Sequence, residues 1–183
     1  MLVHWILVAA AVVSAPPPLA KETEVLTKAL SGHDPAAIAA AVRELDRAAA
    51  ALAPLEVFDG QALSSPAEGL GIYDPLPNGI TRNEEIYLYA QVQNHTVRPL
   101  PGGWLELHLV SDLIILDANG AELARDMAFG ESRFSARAIH RDTFVNIALR
   151  VKGLPSGNYR ARLVVRDLPT GRVGQVEIPF IMP

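Results

Sequence analysis

The chain contains no cysteine at all. That excludes disulfides, thiolate zinc sites and thiol nucleophiles, so stability has to come from burial of apolar surface. Histidine is nearly as scarce, with five in 183 residues. None of them stands beside another at metal-ligand spacing, and a zinc centre needs three or four converging ligands. No metal and no cofactor is expected. A Gly-x-Ser-x-Gly elbow and a phosphate-cradling glycine loop are also missing; the Pro101-Gly102-Gly103 run has neither the lysine nor the helix that such a loop requires. Aromatic residues make up only 6% of the chain. The net charge of −4 speaks against non-specific nucleic-acid binding.

Half of the residues are hydrophobic, which is enough for a sizeable core. The charge is divided unevenly. Residues 21–119 hold 6 Lys/Arg against 14 Asp/Glu, whereas residues 120–183 hold 10 against 6. The simplest reading of this asymmetry is mutual neutralisation of the two halves; a basic face for an acidic partner is the other.

The first twenty residues have no Lys or Arg. Residues 2–15 form an apolar run of signal-peptide length, followed by small residues and then Lys21 and Glu22. Residues 1–20 are therefore read as a secretory signal cleaved after Ala20, with an uncleaved anchor as the alternative. The run is short for a membrane span, so none is expected after cleavage. The location that follows is periplasmic or secreted.

Residues 21–55 read as a helical segment. Asp34 is placed to cap a helix that starts with Pro35, a residue that loses nothing at the first helical position. Ile38, Val42, Leu45, Ala49 and Leu52 share one stripe at helical spacing. Asp112, Asp117, Asn119 and Glu122 are too few and too irregular for a calcium loop.

From about residue 56 the period becomes twofold. Ile86, Leu88, Ala90 and Val92 alternate with Tyr87, Tyr89, Gln91 and Gln93. Val145, Ile147, Leu149 and Val151, then Tyr159, Ala161, Leu163 and Val165, then Val176, Ile178 and Phe180 repeat the pattern. Asn119-Gly120 marks a hairpin turn, Ser111-Asp112 a strand break and Pro179 an edge strand. The segment around Arg125–Arg141 reads as the least regular part. About seven short strands with no intervening helices predict a mostly β protein, an antiparallel β-sandwich over residues 56–183 with a short N-terminal α-helical segment.

The stretch Leu154-Pro155-Ser156-Gly157-Asn158-Tyr159, leading into an alternating strand that ends at Asp167, resembles the tyrosine corner of immunoglobulin-like and fibronectin-type domains. The whole C-terminal part is similar to secreted bacterial Ig-like domains of uncharacterised family. The resemblance implies an Ig-like fold and is silent on function.

Two stripes stand out as candidate binding surfaces. Tyr87, Tyr89 and Gln91 place rings beside amides on the polar face of one strand, a platform suited to sugars or protein. Arg160, Arg162 and Arg166 line another strand and, with Arg150 and Lys152 if those strands pair, make a cationic face. The functional expectation is an exported, non-enzymatic binding or structural module that recognises an envelope protein or polysaccharide through a sheet face. The alternatives are an assembly factor that works through an edge strand and a hydrolase with a scattered site.

Overall fold

The computed structural model describes residues 18–81 and 85–183. The apolar run of residues 2–15 therefore lies outside the described residues. The chain divides into two compact units, Met1–Ala49 and Ala50–Pro183.

The first unit holds α1 (Ala20–Ser31) and most of α2 (Pro35–Leu52). Asp34 caps α2 as its sequence predicts: Oδ1 accepts from the amides of Ala36 at 2.9 Å and Ala37 at 3.3 Å. Of the expected apolar stripe, Ile38, Leu45 and Ala49 are half-buried. Ala41 is the buried residue of α2, while Val42 and Leu52 face solvent.

The second unit is built from eight strands: β1 (Glu56–Leu63), β2 (Glu85–Gln93), β3 (Arg98–Leu100), β4 (Trp104–Leu116), β5 (Glu122–Ala136), β6 (Asp142–Arg150), β7 (Gly157–Asp167) and β8 (Arg172–Met182). They form two antiparallel sheets. One has the order β1-β2-β6. In the other, β5 lies along one side of β4, and β7 followed by β8 on the other, with β3 beside the start of β4.

The alternation read from sequence sets the inward faces. Ile86, Leu88, Ala90 and Val92 of β2, Val145, Ile147 and Leu149 of β6, Leu107, Leu109, Leu113 and Ile115 of β4, and Tyr159, Ala161, Leu163 and Val165 of β7 join one buried cluster. Each large apolar side chain fully buried there contributes about 1.5–3 kcal/mol. Tyr159 closes one end. Its phenol donates to the Pro155 carbonyl at 2.9 Å, and its ring lies 5.6 Å from that of Phe180.

Four local expectations are corrected. First, β4 does not break at Ser111-Asp112, where both side chains are buried within a continuous strand. Asp112 is tolerated because its carboxylate accepts from the Ala128 amide at 2.7 Å and from Arg166. The irregularity falls instead on β5, where Ala128 has φ +55° and the register with β4 shifts. Second, the Arg125–Arg141 region is strand as far as Ala136, and the irregularity expected of it is confined there to Ala128 and the register shift beside it. Third, Arg98–Leu100 forms a strand of its own, which raises the count from about seven to eight. Fourth, β6 pairs with β2 and not with β7, so Arg150 and Lys152 are separated from the Arg160 stripe. The expected Asn119-Gly120 hairpin is present between β4 and β5, with Gly120 at φ +88°. Pro179 sits on β8, the outer strand of its sheet, where it breaks no central ladder.

Candidate functional site

The tyrosine stripe lies on the face of β2 turned away from the core, but that face is covered. Tyr89 has 0% exposure. The chain between β1 and β2 folds over it. Tyr73 packs on the Tyr89 ring at 4.5 Å, the Gly71 amide donates to the Tyr89 phenol oxygen at 2.9 Å, and Asn146 donates to the Ala67 carbonyl at 3.3 Å. Phe144, from the adjacent strand, stacks on the other side of Tyr89 at 5.5 Å. The expected sugar platform is in this respect a small second core, and it is the β1–β2 connection that fills it. Tyr87 stays partly exposed and donates to Glu85 at 3.0 Å.

Gln91 is held in a polar cluster centred on Asp59. That residue sits at a bulge in β1 with φ +49°. Its Oδ2 accepts from Gln91 at 2.8 Å and from the Tyr73 phenol at 3.0 Å, and its Oδ1 from Gln61 at 3.2 Å. Burial, reinforced by the Asp59 carboxylate, pushes the Tyr73 phenol above its ordinary pKa. The cluster ties the covering segment to the sheet.

The arginines of β7 are likewise engaged by the chain itself. Arg162 forks onto Glu177 Oε1 at 3.0 and 2.7 Å, Arg160 meets Glu177 Oε2 at 3.0 Å, and Arg166 pairs with Asp112. Along the same face Glu106 accepts from both Arg98 and Arg133. Those hydrogen bonds, from Arg133 first and then Arg98, hold its carboxyl below the usual range. Glu177 is lowered in the same way by Arg162. The cross-strand neighbours of the β7 arginines on β4, Val110, Ile114 and Leu116, are all buried. The stripe is a partly neutralised ladder, with three arginines on two carboxylates and two more sharing Glu106.

Two features went unforeseen. One is a buried polar knot at the end of the β unit where residues 94–96, 140–142 and 167–172 meet. Asn94 donates to Pro54 O at 3.0 Å and accepts from Arg141. His95 Nε2 donates to the His140 carbonyl at 3.0 Å. Asp167 Oδ2 accepts from the Thr96 amide, the Thr170 hydroxyl and Arg172. Burial pushes the His95 imidazole below its ordinary pKa, against the His140 carbonyl and the nearby charges of Asp167 and Asp142. Only the polar run Asn94-His95-Thr96 hinted at this in sequence, and nothing there names its distant partners.

The other is an apolar cleft. The outer strands β5 and β6 touch where Gly130 faces Ile147; a Cβ at Gly130 would lie 2.9 Å from Ile147 Cδ1. Toward the start of β5 and the end of β6 they leave a cavity of about 410 Å³. Leu113, Ile115, Leu123, Phe129, Leu149 and Leu154 supply its apolar wall. Arg125, Asp126, Arg150 and Lys152 are its charged lining. Leu123, at 52% exposure, leaves an apolar side chain of this lining at the surface. The alternation of β5 is too weak to single these residues out in sequence. Among the described residues, no group of three or more His, Asp or Glu is arranged to hold a metal ion. Among them, too, no helix is long and apolar enough to cross a membrane.

No family model matches the chain, and neither does any curated protein. Among solved structures, the crystal structure of Bacteroides uniformis beta-glucuronidase is similar over 69% of this chain and 12% of that enzyme, at 11% identity and a TM-score of 0.32. The chain thus spans about an eighth of that protein's length, and so faint a likeness carries no argument about activity.

Proposed function

We propose that residues 56–183 are an Ig-like β-sandwich that serves as a non-enzymatic, exported binding module, with its binding side at the diverging edges of β5 and β6. The Ig-like reading is supported by two antiparallel sheets sharing one buried cluster and by the tyrosine-corner bond from Tyr159 to Pro155. Export is supported by the signal-like composition of the first twenty residues.

The observation that carries the binding side is the apolar cleft itself. Tyr89 on the face of β2 is covered by the chain's own Tyr73 segment, and each of the β7 arginines Arg160, Arg162 and Arg166 is paired with one of its own carboxylates. The cleft beside Leu123 has apolar walls and opens to solvent. Concave apolar sites with a few charged groups are where ligands gain most from leaving water. This reading moves the contact away from the sheet faces.

The absence of native cysteine makes the test direct. Single-cysteine variants at Leu123 and Ala124, which line the cleft, and at Arg162 and Tyr87 as face controls, are to carry a short photocrosslinker in cells. Adducts confined to Leu123 and Ala124 are expected. Adducts only from Arg162 or Tyr87 would return the contact to a sheet face, and none from any position would end the binding-module reading.

A further inference from the structure

The outer strands of the two sheets differ in how their free edges are guarded. A strand edge presents a row of unpaired N–H and C=O groups, and proteins protect such rows with bulges, prolines, short length or cover. The register of β1 shifts between Phe58 and Gln61, and that of β5 shifts beside Ala128. β3 is three residues long and contains Pro99. β8 carries Pro179, and near its end Ile80 pairs with Ile181 while the Thr81 amide donates to the Ile181 carbonyl at 2.9 Å.

β6 has none of these guards. Its nine residues, Asp142–Arg150, pair with β2 one for one without a register shift and include neither proline nor lysine. β6 ends its sheet, and among the described residues β2 is the strand it pairs with. This sheet has three strands in line, β1-β2-β6, whereas the other has four, β5-β4-β7-β8. On the β1 side the two sheets close together: a Cβ at Gly60 would lie 2.7 Å from the Ile178 side chain. On the β6 side they part at the cleft of about 410 Å³.

A strand added to β6 would bring its sheet to four. Its inward side chains would continue the row of Ile147 and Leu149 and meet the apolar wall of Leu113 and Ile115. Charge does not select the occupant, because Arg150 is paired with Glu85 and Arg125 with Glu122. Selection falls on main-chain hydrogen bonds and hydrocarbon. β5 walls the cleft on its other side, which leaves room for a single segment rather than for the two-layered edge of a second copy.

From this combination we infer that the outer edge of β6 takes an extended segment of a partner protein as an added strand, with alternate apolar side chains set into the cleft beside β5. The inference rests on the binding side proposed above and names its partner class.

The test adds a capped peptide, seven residues of alternating valine and threonine between pairs of lysines, to the full chain. Binding is read by fluorescence anisotropy and by amide hydrogen exchange. Every second amide of β6 should gain protection, because alternate N–H groups of a strand point to the same side. Two further peptides carry N-methyl groups on the valine amides or on the threonine amides. One of them should lose roughly tenfold or more in affinity while the other binds like the parent. Ala124→Trp, at an exposed lining position, should block binding with the thermal midpoint unchanged. Equal affinity of the two methylated peptides, protection confined to strands other than β6, or full binding by the Ala124→Trp protein would each overturn the inference. So would a dimer that protects the same β6 amides without peptide, since it would give the edge to a second copy. If the peptide fails to bind while crosslinks still concentrate at Leu123 and Ala124, the added strand falls and the binding side stands.

Discussion

Arg172 and Asp167 stand opposite each other in the β7–β8 ladder, and the guanidinium that meets Asp167 Oδ2 at 3.4 Å also donates to the carbonyls of Ala50 at 3.3 Å and Ala53 at 2.8 Å. One side chain thus ends a strand, neutralises a fully buried carboxylate and satisfies carbonyls at the end of α2 that have no partner further along the helix. Thr96 and Thr170 complete the set around Asp167.

Replacing Asp167 by Ala should accordingly be costly. It leaves the Thr96 amide and Arg172 without their acceptor. A loss of about 3 kcal/mol is expected, at the low end for breaking a buried pair because Arg172 reaches solvent. Urea unfolding would show it as a lower midpoint at unchanged slope. A midpoint within error of the parent would mean that the carboxylate is dispensable.

His95 gives the β unit a pH dependence of known sign. Its pKa in the folded state is depressed, chiefly by burial. Nδ1 makes no hydrogen bond in the folded chain. The unfolded chain, with a histidine pKa of about 6.5, then binds more protons than the folded one on the acid side. Stability should be full above that value and decline as the pH falls below it. The thermal midpoint measured from pH 8 to 5 should fall less steeply in His95→Gln than in the parent. Parallel curves would remove His95 from the account.

Tyr89 separates packing from hydrogen bonding. Tyr89→Phe keeps the contacts with Tyr73 and Phe144 and removes the acceptor of the Gly71 amide, for about 1 kcal/mol. Tyr89→Ala also removes the ring and should cost about 3–5 kcal/mol. Hydrogen exchange at Gly71 should accelerate in both proteins. Unchanged protection in Tyr89→Phe would show that the amide is shielded by something other than the phenol.

Two glycines should respond differently to alanine. At Gly174 the new Cβ would lie 2.7 Å from the Leu55 carbonyl oxygen, a main-chain atom that cannot turn aside. At Gly130 it would meet the Ile147 side chain at 2.9 Å. Both variants should lose about 1–3 kcal/mol by overpacking. Ile147→Ala should relieve the second clash, so that the Gly130→Ala cost shrinks in its presence. Full additivity of the two changes would argue against that contact.

Much of this architecture is local and therefore present in sequence. A twofold apolar period can only be a strand with one buried face, and the period of β2, β6 and β7 matches the buried positions one by one. Asp34-Pro35 opens α2, Asn119-Gly120 turns the β4–β5 hairpin, and Tyr159 follows its corner turn for equally local reasons. What tertiary structure alone decided is which strands are neighbours and what lies over their outer faces. Alternation says that Tyr89 points away from the core; it says nothing of Tyr73, sixteen positions earlier, folding back onto it. It shows Asp112 as a break, because the Ala128 amide and Arg166 that make a buried carboxylate tolerable are far away along the chain. The cleft between β5 and β6 arises because two strands of different sheets meet at Gly130 and then diverge, and the distance between non-adjacent strands is set by the packing of the whole core.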